Sequence, residues 1–211
     1  MEMLDCLNSG RYLTRLIFGG GTMLRLCHGL DRFSVDLDFW ADGKLRAAYF
    51  ADLCNYLAKR YKVRDSKDKF HTLVCELTSP HYPRSLKIEI RKEVKQIAEE
   101  QCIAYSRYTN RQILVRAVSL TNMMRSKIQA LLSRQEIRDA YDIEFLLKKG
   151  VPPEISGKEA GTLTAALNAF SKADYRVKLG SLLEAQQRAY YNRENFKILR
   201  AALGGIVPAS I

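Results

Sequence analysis

The sequence predicts an α+β protein, with a mixed β-sheet and helices in the first half and a helical lobe in the second. In the first half, short apolar runs of strand length alternate with apolar residues at helical spacing. From Leu120 onward the apolar spacing is helical throughout. We therefore expect two domains, an α/β core over residues 1–118 and a helical lobe over residues 119–211.

Each element of the first half follows from its local pattern. The expected order is an amphipathic segment (3–13), a strand ending at Phe18, a short helix (22–27), a strand holding Asp36 and Asp38, a helix (45–61), and strands at 61–64, 72–77, 86–91 and 113–118. The polar run at 65–68 predicts a turn between two of these strands.

The second half predicts five helices, at 121–132, 136–148, 159–170, 178–190 and 193–203. Gly150 and the Pro152-Pro153 pair mark the end of the second of them, because proline cannot continue a helix.

Composition limits the class of protein. The 211 residues are 47% hydrophobic, and the apolar runs are too short to cross a membrane. No leader sequence is expected. The five scattered cysteines lack a C-x-x-C pair, and the three histidines lack metal-ligand spacing. This pattern favours reduced thiols in the cytoplasm over disulfides or a zinc site.

The net charge of +11 is concentrated in the middle of the chain. Between Arg84 and Arg134, eleven Lys or Arg residues stand against four Glu, a net of +7. Such a surface attracts polyanions, although a merely solvated basic face has the same composition. Beside a triphosphate site, RNA is the favoured partner.

A glycine-rich turn and an aspartate pair carry the strongest chemical signal. Gly20 and Gly21 let the backbone approach a ligand closely, and the N–H groups of a helix beginning near Thr22 favour phosphate. Asp36 and Asp38 point to one face of a strand. Paired carboxylates beside a phosphate site suit Mg²⁺, so these residues indicate use of a nucleoside triphosphate.

Two further residues are candidates for the same site. Glu89, between Ile88 and Ile90, would supply a third carboxylate if an adjacent antiparallel strand placed it beside the aspartates. The alternative is a solvent-facing glutamate. Ser34 shares the face of Asp36, so its hydroxyl could bond a phosphate or a metal-bound water, or equally cap the preceding turn.

A second constellation lies on the predicted helices. Asp139 and Asp142 share a helix face, and Asp142 lies at the buried border, where a carboxylate needs a cationic or metal partner. Lys127, one helix earlier, could neutralise a triphosphate. The alternative is two helices tied together by salt bridges.

These segments resemble the AbiEii/AbiGii-type nucleotidyltransferase toxins of the DNA polymerase β-like superfamily. The first block is FGGGTMLRL followed by GLDRFSVDLDF, and the second is KIQALLSR followed by RDAYDIEFL. The resemblance implies a polymerase β-like nucleotidyltransferase fold, a nucleoside triphosphate substrate, and Mg²⁺ or Mn²⁺. Relatives of the MenT type add nucleotides to the tRNA 3′ end and block translation, and an antitoxin restrains them.

Carried over to this chain, the resemblance gives each candidate a role. Gly20, Gly21 and Thr22 would hold phosphate with Ser34 nearby, Asp36, Asp38 and Glu89 would bind metal, and Lys127 and Asp142 would complete the site. The family often has lysine where this chain has Gly19. We therefore expect a metal-dependent nucleotidyltransferase toxin acting on RNA. The alternatives are a protein or small-molecule acceptor, and a non-catalytic module that binds RNA or a partner.

Overall fold

The computed structural model describes residues 1–93 and 97–206. The chain forms two units: Met1–Gly29 with Ser34–Ser119, and Leu30–Phe33 with the chain from Leu120 onward. The first unit combines helices with a mixed sheet, and the second is helical. The predicted α+β class is therefore confirmed.

The first unit contains helices α1 (Glu2–Ser9), α2 (Gly20–His28) and α3 (Tyr49–Ala58). Its strands are β1 (Leu16–Gly19), β2 (Leu37–Ala41), β3 (Lys62–Asp68), β4 (Thr72–Ser79), β5 (Tyr82–Arg91), β6 (Glu99–Ser106) and β7 (Thr109–Val118). They form one sheet in the order β3-β4-β5-β2-β1-β7-β6. Strand β2 runs antiparallel to β1 and parallel to β5, and β1 runs parallel to β7.

One face of the sheet forms the core of the first unit. Residues at alternate positions of the central strands, such as Leu37, Phe39, Ile88 and Ile90, are at most 5% exposed. Helix α2 is capped at its C-terminus by Gly29, whose left-handed backbone (φ 79°) suits glycine. The remaining face carries Asp38 and Glu89, and we call it the acidic face.

The second unit contains α4 (Leu120–Arg134), α5 (Ile137–Lys148), α6 (Gly157–Ala169), α7 (Ala185–Glu194) and α8 (Lys197–Gly204). Helix α6 begins with a capping box in which Ser156 and Glu159 bond each other's backbone N–H groups. Across the described residues, no helix is long and apolar enough to cross a membrane.

Two sequence predictions of elements are wrong, and one strand is missed. The polar run at 65–68 is not a turn but part of the edge strand β3, where polar side chains face water at little cost. Strand β6 was not predicted, because its exposed residues hide the apolar alternation. The helix expected at 178–190 is instead a π-helical turn (Asp174–Leu179), a 3-10 turn (Gly180–Leu182) and then α7.

Candidate active site

The sheet register places two of the predicted metal ligands directly opposite each other. Asp38 of β2 pairs with Glu89 of β5, while their neighbours Leu37 and Ile88 pair on the buried face. The two strands are parallel, so the antiparallel arrangement expected from the sequence is wrong. Parallel pairing nevertheless makes the strands adjacent and leaves both carboxylates on the acidic face. Asp36 lies immediately before β2.

Lys87, which was not among the residues predicted for this site, places a positive charge among these acids. Lys87 Nζ lies 2.8 Å from Glu89 Oε2 and 3.6 Å from Asp36 Oδ2. The hydrogen bond to Glu89 and the charges of Asp36 and Asp38 raise the pKa of Lys87 despite partial burial. The side chains of Asp36, Glu89 and Lys87 are each 32–39% exposed. The acids therefore attract a cation and remain open to solvent.

Thr22 connects the glycine turn to the aspartate segment. Its hydroxyl donates a hydrogen bond to the backbone carbonyl of Asp36 and lies 2.8 Å from Ser34 Oγ. Thr22 is only 7% exposed, whereas Ser34 is half-buried. Both hydroxyls thus hold the backbone before Asp36 in place. Their predicted contact with phosphate stays a prediction.

Neighbouring side chains leave no room for a Cβ at Gly19 or Gly20. A Cβ on Gly19 would lie 1.8 Å from Cζ3 of Trp40, so the indole occupies the space of any side chain there. This explains why Gly19 stands where the resembled family often has lysine. A Cβ on Gly20 would lie 2.1 Å from Asp38 Oδ2, and Gly20 has a φ of +72°. The turn therefore lies against the Asp38 carboxylate.

We expect Gly20→Ala to lower the free energy of unfolding by about 2–4 kcal/mol, through left-handed backbone strain and displacement of Asp38. Chemical denaturation measures the change. Gly161→Ala is the matched control, because Gly161 lies within α6 and a Cβ there meets nothing within 4 Å. The control is expected to be neutral or stabilising by about 0.5–1 kcal/mol. Equal stability of the Gly20→Ala and Gly161→Ala proteins would contradict this account.

In the second unit, Lys127 and Asp142 contact each other in the interior. Lys127 Nζ lies 2.7 Å from Asp142 Oδ2. Arg32 binds the same carboxylate with both arms of its guanidinium, Nε at 2.6 Å and Nη2 at 2.7 Å. Asp142 is fully buried, and Lys127 and Arg32 are 7% and 4% exposed. Asp142 therefore has two cationic partners, Lys127 and Arg32, where the sequence predicts that it needs one.

Asp139 extends this group into a network. Arg134 binds both of its oxygens at 2.7 Å, and Lys127 Nζ lies 3.4 Å from Oδ1. Burial disfavours the charge on Asp142, but the cations Lys127 and Arg32 outweigh it and hold its pKa below the ordinary value. We call these five residues (Arg32, Lys127, Arg134, Asp139 and Asp142) the buried ion network. Its geometry matches the salt-bridge alternative, and the catalytic role of Lys127 and Asp142 stays a prediction.

Arg32 and Arg134 were not identified as site residues from the sequence, for different reasons. Arg32 is 110 positions from Asp142, so no local pattern joins them. Arg134 is only five positions before Asp139. Because α4 ends at Arg134 and α5 begins at Ile137, the short connection could have indicated that contact. For Lys87, the signal was its position two residues before Glu89, on the same strand face.

Comparison with known families shows which family the chain belongs to. The family model for the nucleotidyl transferase AbiEii toxins of type IV toxin–antitoxin systems matches residues 3–204. The chain belongs to the AbiEii family. As an AbiEii-family member, it is a nucleotidyltransferase-family protein of a toxin–antitoxin system, and the family implies an antitoxin partner.

Two solved structures from Helicobacter pylori are similar to this AbiEii-family chain. JHP933 has a TM-score of 0.53 at 20% identity, covering 95% of this chain and 94% of its own. A candidate nucleotidyltransferase has a TM-score of 0.55 at 18% identity, covering 96% of each chain. At these identities the similarity concerns the nucleotidyltransferase fold. No curated protein matches the chain significantly.

Proposed function

We propose that this AbiEii-family protein transfers nucleotides from a nucleoside triphosphate to an RNA acceptor, the tRNA 3′ end, and thereby blocks translation. The observation that carries the proposal is the acidic face: Asp38 and Glu89 lie opposite each other, and the Lys87 ammonium contacts Glu89 and Asp36. The glycine turn lies against Asp38 at the start of α2. Carboxylates and a phosphate-binding helix start are the parts that this chemistry needs.

The donor types suit a hard divalent cation, although the oxygens of the three acids do not all lie within 4.8 Å of one another. Asp36, Asp38 and Glu89 offer carboxylate oxygens in a partly exposed site, and Lys87 already places one positive charge among them. These three acids would hold Mg²⁺ or Mn²⁺. A bound metal would neutralise part of the negative charge of the triphosphate.

The surrounding residues would orient the triphosphate. Backbone N–H groups at the start of α2, from Gly20, Gly21 and Thr22, would donate to phosphate oxygens. Thr22 keeps Asp36 in position through the carbonyl hydrogen bond. The Lys87 side chain is partly exposed, so its ammonium could reach a phosphate oxygen of the bound triphosphate.

Charge supports RNA as the acceptor. The chain carries +11, and Arg91 continues the acidic face beyond Glu89. Arg91 pairs with Trp40 two residues along the strands from Asp38 and Glu89, and its guanidinium lies 5.0 Å from the Trp40 ring centroid. Exposed arginine next to the acids suits the phosphate backbone of an RNA acceptor. A cationic small molecule would be repelled by the same charge.

The proposal also includes the cytoplasm as the site of action, where tRNA is found. All five cysteines are unpaired, which fits a reducing compartment.

Incubation with each labelled nucleoside triphosphate, total tRNA and Mg²⁺, with and without EDTA, tests the function. EDTA-sensitive label at the tRNA 3′ end is the expected result. Label on a protein or small molecule would replace the acceptor, and RNA binding without transfer by any nucleotide would support the non-catalytic alternative.

We expect Lys87→Met to lower the half-saturating Mg²⁺ concentration about fivefold, because one competing positive charge near the carboxylates is removed. Calorimetric titration of Mg²⁺ without nucleotide isolates this effect from any contact with phosphate. Lys67→Met is the matched control, since Lys67 pairs with Asp65 on the edge strand β3. Unchanged or weaker Mg²⁺ binding by the Lys87→Met protein would show that the acids are not the metal site.

A further inference from the structure

The packing of α2 against β6 gathers three different metal-ligand types. His28 is the last residue of α2, and Glu100 and Cys102 are alternate residues of β6. His28 Nε2 lies 3.6 Å from Glu100 Oε1 and 3.9 Å from Cys102 Sγ. One ligand atom from each residue lies within 4.8 Å of the other two. Among residues 1–93 and 97–206, this is the one such group.

Glu100 is an exposed residue near the start of the edge strand β6, on the same strand face as Cys102. Glu100 and Cys102 pair with Ala117 and Val115, both of which are buried on the core face of the sheet. A carboxylate therefore lies on that face of the sheet, beside a histidine and a thiol. A simple ion pair would explain His28 and Glu100, but it gives no reason for the thiol at the same point.

We propose that His28, Glu100 and Cys102 bind Zn²⁺. Nitrogen, sulfur and carboxylate donors together favour zinc over Mg²⁺, which prefers oxygen alone. Three protein ligands and one water complete a tetrahedral site. Cys102 loses its proton to solvent on binding.

The zinc site joins the edge strand β6 to the end of α2, whose other end is the glycine turn. It is separate from Asp36, Asp38 and Glu89, and it does not depend on the proposed transfer activity. The histidine spacing did not predict this site, because its ligands come from a helix and a strand more than 70 positions apart.

Metal analysis and cobalt substitution test the site. Purified full-length protein, equilibrated with Zn²⁺ and desalted, is expected to retain one zinc per chain. The metal-free protein given Co²⁺ is expected to show a thiolate-to-cobalt charge-transfer band. Cys102→Ser should abolish the band, and Cys102→Ser and His28→Ala should each weaken Zn²⁺ binding by more than about 100-fold.

Two controls keep the test decisive. Cys54→Ser changes a half-buried thiol on α3 outside the cluster and should retain both zinc and the cobalt band. Glu100→Gln changes a partly exposed side chain, so it provides a folded variant with weakened zinc binding if Cys102→Ser does not fold. Folded wild-type protein without zinc or the cobalt band would overturn the proposal, as would a band that survives Cys102→Ser.

Discussion

The double variant Asp36→Ala, Asp38→Ala is expected to lose nucleotide transfer by at least about 10³-fold while keeping its fold. Two of the three carboxylates on or beside the acidic face are removed, so the proposed metal and triphosphate would lose their main anchor. Stability should change by no more than about 1 kcal/mol, because the Asp36–Lys87 pair is solvent-exposed and Lys87 keeps Glu89. Single-turnover transfer to tRNA, beside circular dichroism and thermal unfolding, measures both effects.

The matched control is Asp65→Ala, Asp68→Ala. These residues lie in the same unit on edge strand β3, and each pairs with a lysine as Asp36 does. The charge change is identical, so the control should keep full transfer activity. Transfer that persists in the folded Asp36→Ala, Asp38→Ala protein would refute the proposed site.

The second large effect is expected from Asp142→Asn, which should lower the free energy of unfolding by about 3–5 kcal/mol. The substitution leaves Arg32 and Lys127 without their shared carboxylate, at positions where they are only 4% and 7% exposed to water. Urea denaturation followed by circular dichroism measures the change. Glu154→Gln is the control, because its pair with Arg125 is more than half exposed and should contribute little.

The pH dependence gives an independent check. The pKa of Asp142 in the folded protein lies below its ordinary value, so its stabilisation is present above about pH 4 and is lost as pH falls through the folded pKa. The stability difference between wild type and Asp142→Asn should therefore shrink in acid. A difference below 1 kcal/mol at neutral pH would mean that the buried ion network does not hold the second unit together.

A loss of transfer activity in an Asp142 variant could come from unfolding alone. Asp142 and Lys127 were predicted as catalytic residues, yet their closest partners are each other and Arg32. Loss of transfer in an Asp142 variant supports a catalytic role only if the variant is folded under assay conditions.

Much of the fold follows from local pattern. Apolar residues at strand or helix spacing indicated most elements near their observed places, because burial of one face imposes that spacing. The errors fall where this constraint is weak. At 65–68 and along β6, the strands lie at the two edges of the sheet, and their polar residues face water.

The sequence by itself indicated the family, through the resemblance of its two blocks to AbiEii/AbiGii-type toxins. It also indicated the candidate residues, because a glycine turn and alternating acids have a characteristic spacing. Only the tertiary structure decided which groups meet. The parallel register sets Asp38 against Glu89, and Lys87 contacts Glu89 and Asp36. Trp40 leaves no room for a side chain at Gly19, and Arg32 binds a carboxylate 110 positions away. Spacing fixes the direction of a side chain on its own element, whereas its partners depend on strand order and chain packing.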